Sequence, residues 1–115
     1  MCLGLRGGAR ASALYSASKA AVHNLTRTLA AELAPRRIRV NSVSPGYIDT
    51  PAFRAELSDA AQAGVAALSP AGRVGTAQDV AAAIAFLASG DAAYVNGHDL
   101  RVDGGLTAVD AAALL

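Results

Sequence analysis

The stretch "RIRVNSVSPGYIDT", residues 37–50, decides how this chain is read. Its first part, to Pro45, is a short run carrying Ile38, Val40 and Val43. It is bounded by Arg36-Arg37 on one side and Pro45-Gly46 on the other. Such a run between breakers predicts a strand over 37–45, and "GYIDTP" reads as the loop leaving it. Upstream, "ALYSASKAAVHNLTRTLAAELA" (13–34) predicts a helix. Ser12 is placed to cap it, Val22, Leu25, Leu29 and Leu33 recur at helical spacing, and Pro35 closes it. "MCLGLRGGAR" before it reads as a loop.

Downstream, "AFRAELSDAAQAGVAAL" (52–68) reads as one weakly patterned helix and "SPAGRVGT" (69–76) as a loop. Thr76 is expected to cap "AQDVAAAIAFLAS" (77–89), with Val80, Ile84 and Leu87 as its apolar stripe, Phe86 beside it and Gly90 ending it. "AAYVNG" (92–97) is a turn region, and "HDLRVDGG" (98–105) predicts a last strand and a glycine turn. The order helix, strand, helix, helix, strand suits an α/β fold with parallel strands and crossover helices. Two strands make a small parallel sheet, and such strands want neighbours and cover on both faces. The expectation is the C-terminal part of a doubly wound, Rossmann-like parallel-sheet domain. Residues 1–115 would form a portion of that one domain, with no second domain.

Composition bounds the function. The 115 residues are 53% apolar with only 4% aromatic, and about a quarter are alanine. A core must therefore be built from Ala, Val, Leu and Ile. Net charge is +1 and the arginines are scattered, which gives no nucleic-acid or membrane-surface footprint. One cysteine, Cys2, excludes an internal disulfide and reads as an incidental small residue. No apolar run approaches a membrane span, and the N-terminus lacks the apolar core of a signal peptide, so a cytoplasmic protein is expected. No Cys/His/Asp spacing suggests a metal site.

Among nine arginines the chain holds a single lysine, Lys19, four residues after Tyr15. On a helix these two project from one face. A phenol is a poor acid or base in neutral water, and a nearby ammonium favours its phenolate. Lysine offers a more compact point charge than arginine and three donors.

"YSASKAAV", "ELAPRRIRVNSVSPGYIDTP", "GRVGTAQDVAAAIAFLAS" and "YVNGHDLRVDGG" occur in this order. Together they resemble the C-terminal half of the short-chain dehydrogenase/reductase family, from about Gly4 to about Thr107. The resemblance implies an NAD- or NADP-dependent oxidoreductase that moves a hydride between nicotinamide and an alcohol or carbonyl substrate. It implies that Tyr15 is the catalytic acid/base and that Lys19 binds the nicotinamide ribose and favours the phenolate. Pro45 and Gly46 would line the nicotinamide pocket, with the Ile48 backbone and the Thr50 hydroxyl as carboxamide partners. Residues from Ala52 to about Gly72 match the substrate lid. Asn41 reads as structural, and Asp103 to Gly105 as serving a turn and subunit packing. His23, taken to lie off the face of Lys19, and His98 read as solvated or interface histidines. A homo-oligomer is implied, with no nucleic acid and no membrane among its partners.

Four family features have no counterpart here, the asparagine of the fourth helix among them. The glycine-rich phosphate-binding turn belongs far upstream, and with it the residue that selects NAD or NADP. The family's serine belongs near Cys2, where no serine stands. The expectation is a truncated member, inactive alone, with an unpaired strand edge from Ile38. The alternative is a non-catalytic interaction or regulatory module that co-assembles with full-length relatives. Arg37 stands where the family often has glycine, which puts a positive-φ turn there in doubt.

Overall fold

The computed structural model describes the backbone of residues 9–108 and the side chains of residues 13–108. The readings placed on residues 1–8, Cys2 among them, lie outside it. In order come α1 (Ala9–Leu33), β1 (Ser42–Pro45), α2 (Pro51–Glu56), α3 (Asp59–Ala67), α4 (Ala77–Ala88) and β2 (Asp99–Val102). β1 and β2 pair in a two-stranded sheet. Gly97 N–H donates to Val40 O at 2.8 Å, Ser42 N–H to His98 O at 2.9 Å and Gly46 N–H to Val102 O at 3.0 Å. The register rises on both strands together, so the pair is parallel, as the element order demands.

The described residues divide into two compact units, 9–42 with 93–99, and 43–92 with 100–108. In the first, α1 is a 25-residue helix without internal Gly or Pro. It begins at Ala9, so Ser12 lies within it rather than capping it, and the loop expected over 1–10 is already helical at Ala9 and Arg10. It ends at Leu33 because Pro35 disfavours the α conformation at Ala34, and a 3₁₀ turn over Ala34–Arg36 takes over. Arg37 closes that turn in the left-handed conformation, φ 58° and ψ 31°. The positive-φ turn is thus kept without glycine. Thr26 and Ala30 are the buried residues of α1; of the expected stripe Leu29 and Leu33 are half-buried, while Val22 and Leu25 are 48% and 54% exposed. Thr26 is tolerated there because its hydroxyl donates to Val22 O at 2.9 Å.

Strand β1 is shorter than the expected 37–45. Before Ser42 the Gly97–Val40 backbone bond is supplemented by side chains. Asn96 Oδ1 accepts from Val40 N–H at 2.8 Å, and Asn41 reaches both Val95 O (2.9 Å) and His98 N–H (3.0 Å). Asn41 is therefore a structural tie.

In the second unit, Phe53, Leu87 and Ala92 are buried. The Tyr47 ring stands 6.4 Å from that of Phe53, tilted by 51°. The single helix expected over 52–68 is two. Leu57 turns to extended backbone, and Ser58 starts α3 by accepting the Ala61 N–H at 3.4 Å. Thr76 caps α4 as expected. Its Oγ1 accepts from Asp79 N–H at 3.2 Å while Asp79 Oδ2 accepts from Thr76 N–H at 2.7 Å, a reciprocal capping box. The helix ends at Ala88 with Ser89 as its cap, and Gly90 opens the next 3₁₀ turn rather than ending the helix. Val80 and Leu87 face inward, but Ile84 is 52% and Phe86 45% exposed.

Candidate active site

In the first unit, Tyr15 and Lys19 sit one turn apart on α1. The Lys19 Nζ lies 5.4 Å from the centre of the Tyr15 ring. That is within reach of an attractive cation–ring contact and places the ammonium beside the phenol. Tyr15 is 48% exposed, so its hydroxyl is accessible to a reactant. Ser18 Oγ donates to Tyr15 O at 2.7 Å, bonding back into the helix and leaving the phenol alone.

His23 follows Lys19 by four residues, so it lies on nearly the same face, contrary to the sequence reading. Its Nε2 stands 3.7 Å from Asp99 Oδ1, and Ser42 Oγ donates to that same oxygen at 2.8 Å. These contacts tie α1 to the start of β2 within the first unit. His98 is exposed.

In the second unit, the loop after β1 carries Pro45, Gly46, Ile48 and Thr50. Gly46 is held on both sides. Its N–H reaches Val102 O at 3.0 Å, and an added Cβ would stand 2.8 Å from Asp103 Cα and 2.9 Å from Asp103 Cβ. The close approach that requires glycine is therefore to the chain's own β2 turn. Ile48 forms a parallel bridge with Gly75. The bridge bonds run from Gly75 N–H to Tyr47 O (2.9 Å) and from Asp49 N–H to Gly75 O (2.8 Å). They use the flanking groups, so the N–H and C=O of Ile48 itself lie on the opposite edge. Thr50 caps α2, its Oγ1 accepting the Phe53 N–H at 3.1 Å, which leaves the hydroxyl proton to donate elsewhere.

Three polar constellations were not foreseen from the sequence. Arg54 grips Asp49 with two bonds of 2.6 Å each, fixing the residue between Ile48 and Thr50. The Arg54 guanidinium holds the Asp49 carboxyl below its usual range, with slight burial opposing it. Arg73 holds Asp79 with bonds of 2.7 and 3.1 Å, and Arg73 with the Thr76 bonds keeps that carboxyl far below the usual range. Asp103 accepts from Gly105 N–H (3.0 Å), Thr107 N–H (3.1 Å) and Thr107 Oγ1 (2.6 Å). Burial pushes the Asp103 carboxyl up, but these bonds together, with Arg101 nearby, bring it below its usual value. Of their members only Thr76 has a role legible in the sequence, as the cap of α4.

A cavity of about 270 Å³ opens in the second unit among Tyr47, Ser69, Arg73, Arg101 and Asp103. Arg73 is engaged by Asp79, and Arg101 donates to Thr107 Oγ1 at 3.2 Å. Among the described residues no group of His, Cys, Asp and Glu could hold a metal ion, and no helix is long and apolar enough to cross a membrane.

A parallel α/β sheet with a tyrosine–lysine helix and a Pro-Gly loop after a strand defines a class, and comparison with known proteins gives the family. A family model described as enoyl-(acyl carrier protein) reductase matches residues 2–107. The 3-oxoacyl-(acyl-carrier-protein) reductase FabG of Salmonella typhimurium is 48% identical over 99 residues, which are 86% of this chain and 40% of that protein. The cis-4-hydroxycyclohexanecarboxylate dehydrogenase of Sinomonas cyclohexanicum is 52% identical over 107 residues, 93% of this chain and 42% of that protein. The crystal structure of a short chain dehydrogenase family protein from Francisella tularensis superposes with a TM-score of 0.77 at 34% identity. It is matched over 83% of this chain and 43% of that one. The chain belongs to the short-chain dehydrogenase/reductase family, and it spans about two fifths of the length of these relatives.

Proposed function

We propose that these residues form the proton-transfer and nicotinamide-orienting part of an NAD- or NADP-dependent oxidoreductase acting on a small alcohol or carbonyl compound. The observation that carries the reading is the Lys19 ammonium 5.4 Å from the Tyr15 ring on an accessible helix face. When bound, the nicotinamide supplies or accepts the hydride. Tyr15 gives its proton to the carbonyl oxygen in reduction and takes it from the hydroxyl in oxidation. Lys19 sets its ammonium beside that ring and has donors left for a ribose hydroxyl. The outward N–H and C=O of Ile48 and the donor left on Thr50 are the right kinds of group for a carboxamide. Pro45 and Gly46 carry that loop out of β1, with Arg54 and Asp49 bracing it. Residues 52–72 serve as the substrate lid, and both units belong to one cytoplasmic, dinucleotide-binding domain.

The chain alone, lacking a glycine-rich phosphate turn and the family serine, neither holds dinucleotide tightly nor turns over. The test is a chimera in which these residues replace the matching two fifths of the Salmonella FabG. The chimera is expected to oxidise or reduce a substrate with NAD(H) or NADP(H), while the 115-residue chain does not. A folded chimera without nicotinamide-dependent turnover would count against the reading.

A second reading draws on the exposed apolar side chains, Leu14 at 78% and Leu25 at 54% on α1 and Ile84 on α4. Surfaces of this kind suit association, either as a homo-oligomer or as a non-catalytic module joining full-length relatives. Mixing the chain with intact FabG and following size separates the two readings.

A further inference from the structure

We propose that Asn96-Gly97 is a self-modification site kept closed by the fold, at which opening of the turn releases an intramolecular deamidation that unfastens α1. The chemistry needs no partner but solvent. The Gly97 nitrogen attacks Asn96 Cγ and loses its proton, the Cγ–Nδ2 bond breaks, and ammonia leaves. Water then opens the resulting five-membered imide at either carbonyl, giving aspartate or isoaspartate. No electrons change hands. Glycine after asparagine makes the attack easy because no side chain shields its nitrogen.

The fold engages both reacting groups in other hydrogen bonds. Gly97 N–H donates to Val40 O at 2.8 Å. The Asn96 side chain is tied at both ends, Oδ1 accepting from Val40 N–H at 2.8 Å and Nδ2 donating to Ala30 O at 3.2 Å. Asn41 fixes the residues on either side through Val95 O and His98 N–H. All of these lie in the first unit. Asn96 itself is exposed, so water reaches the imide once it forms.

The pair also explains its own persistence. Gly97 has φ +70°, and an added Cβ would stand 3.3 Å from the Ala30 Cβ, so the turn requires glycine. The two side-chain bonds require an amide before it. The same bonds make the product matter. Aspartate keeps the acceptor for Val40 but has no donor for Ala30 O. Isoaspartate adds a main-chain carbon between Asn96 and the Gly97 nitrogen that must meet Val40. Either change loosens the tie between the last turns of α1 and the approach to the strands.

The chain contains three asparagines, and Asn24 and Asn41 precede Leu25 and Ser42, so they serve as internal controls. The experiment incubates the 115-residue chain at mildly alkaline pH, in plain buffer and in unfolding urea, with peptide mapping by mass spectrometry over time. Conversion is expected at Asn96 alone, about tenfold or more faster in urea, because reaction in buffer waits on local opening. Asn96→Asp, made directly, is expected to melt at a lower temperature than the parent. Equal rates in buffer and urea, or no conversion at Asn96 in either, would overturn the proposal. An unchanged melting temperature for Asn96→Asp would overturn the claimed consequence for α1. The rate comparison stands whether or not that variant folds.

Discussion

Gly46→Ala tests how tightly the end of β1 is fitted to the turn after β2. The new Cβ would sit 2.8 Å from Asp103 Cα, 2.9 Å from Asp103 Cβ and 3.3 Å from Asp103 O. Carbon pairs rest at about 3.5–4.0 Å, so the first two contacts are short by roughly 0.6–1.2 Å. Neither neighbour is the tip of a flexible side chain. Relief means moving backbone, which strains the Gly46–Val102 hydrogen bond of 3.0 Å and the three bonds that close on the Asp103 carboxylate. Overpacking of this kind costs about 1–3 kcal/mol, and the backbone contacts place Gly46→Ala in the upper half of that range. For a domain of this size each kcal/mol lowers the midpoint of thermal unfolding by about 4 °C or more. Gly64→Ala is the matched control. Gly64 lies within α3 with nothing within 4 Å of a new Cβ, so alanine there should stabilise by about 0.5–1 kcal/mol. Urea unfolding followed by circular dichroism reads both. Gly46→Ala as stable as the parent, or no less stable than Gly64→Ala, would refute the fit.

Three further outcomes are expected. Arg37→Gly should raise stability by up to about 1 kcal/mol, because it frees a non-glycine residue from φ 58° at some cost in chain entropy; chemical denaturation measures it. Thr76→Ala should cost about 1 kcal/mol through loss of the capping box, seen as a lower urea midpoint. Asp79 ionises in the folded chain well below the usual carboxylate range, held there by Arg73 and Thr76. The unfolded chain therefore takes up the proton first as the solution is acidified. The stability advantage of the parent over Asp79→Asn should be full near neutral pH and shrink as pH falls through about 4. It should also shrink in high salt, because the Arg73 pair is exposed.

The long alanine-rich helix, the capped helix α4 and both strands were legible in the sequence because each depends on local composition between breakers. The stripe along α1 was not. Spacing alone favoured Val22, Leu25, Leu29 and Leu33, whereas the fold buries Thr26 and Ala30, where small side chains allow close approach. The break at Leu57-Ser58 was hidden because Ser58 becomes a cap only once Leu57 turns extended. The shortened β1 reflects Asn96, a residue more than fifty positions away whose amide takes over the Val40 N–H. At the candidate site, the Tyr15–Lys19 pair follows directly from helical spacing. The role of Gly46 did not, since its neighbour Asp103 is brought to it by strand pairing alone. The same holds for the Ile48–Gly75 bridge, which turns the groups of Ile48 outward.

The central claim is that Tyr15 handles the proton and Lys19 supports it. In the FabG chimera, kcat for Tyr15→Phe should fall by about 10²–10⁴ while affinity for the dinucleotide is unchanged, since only the transferable proton is removed. A Tyr15→Phe chimera turning over within a few-fold of its parent would contradict it.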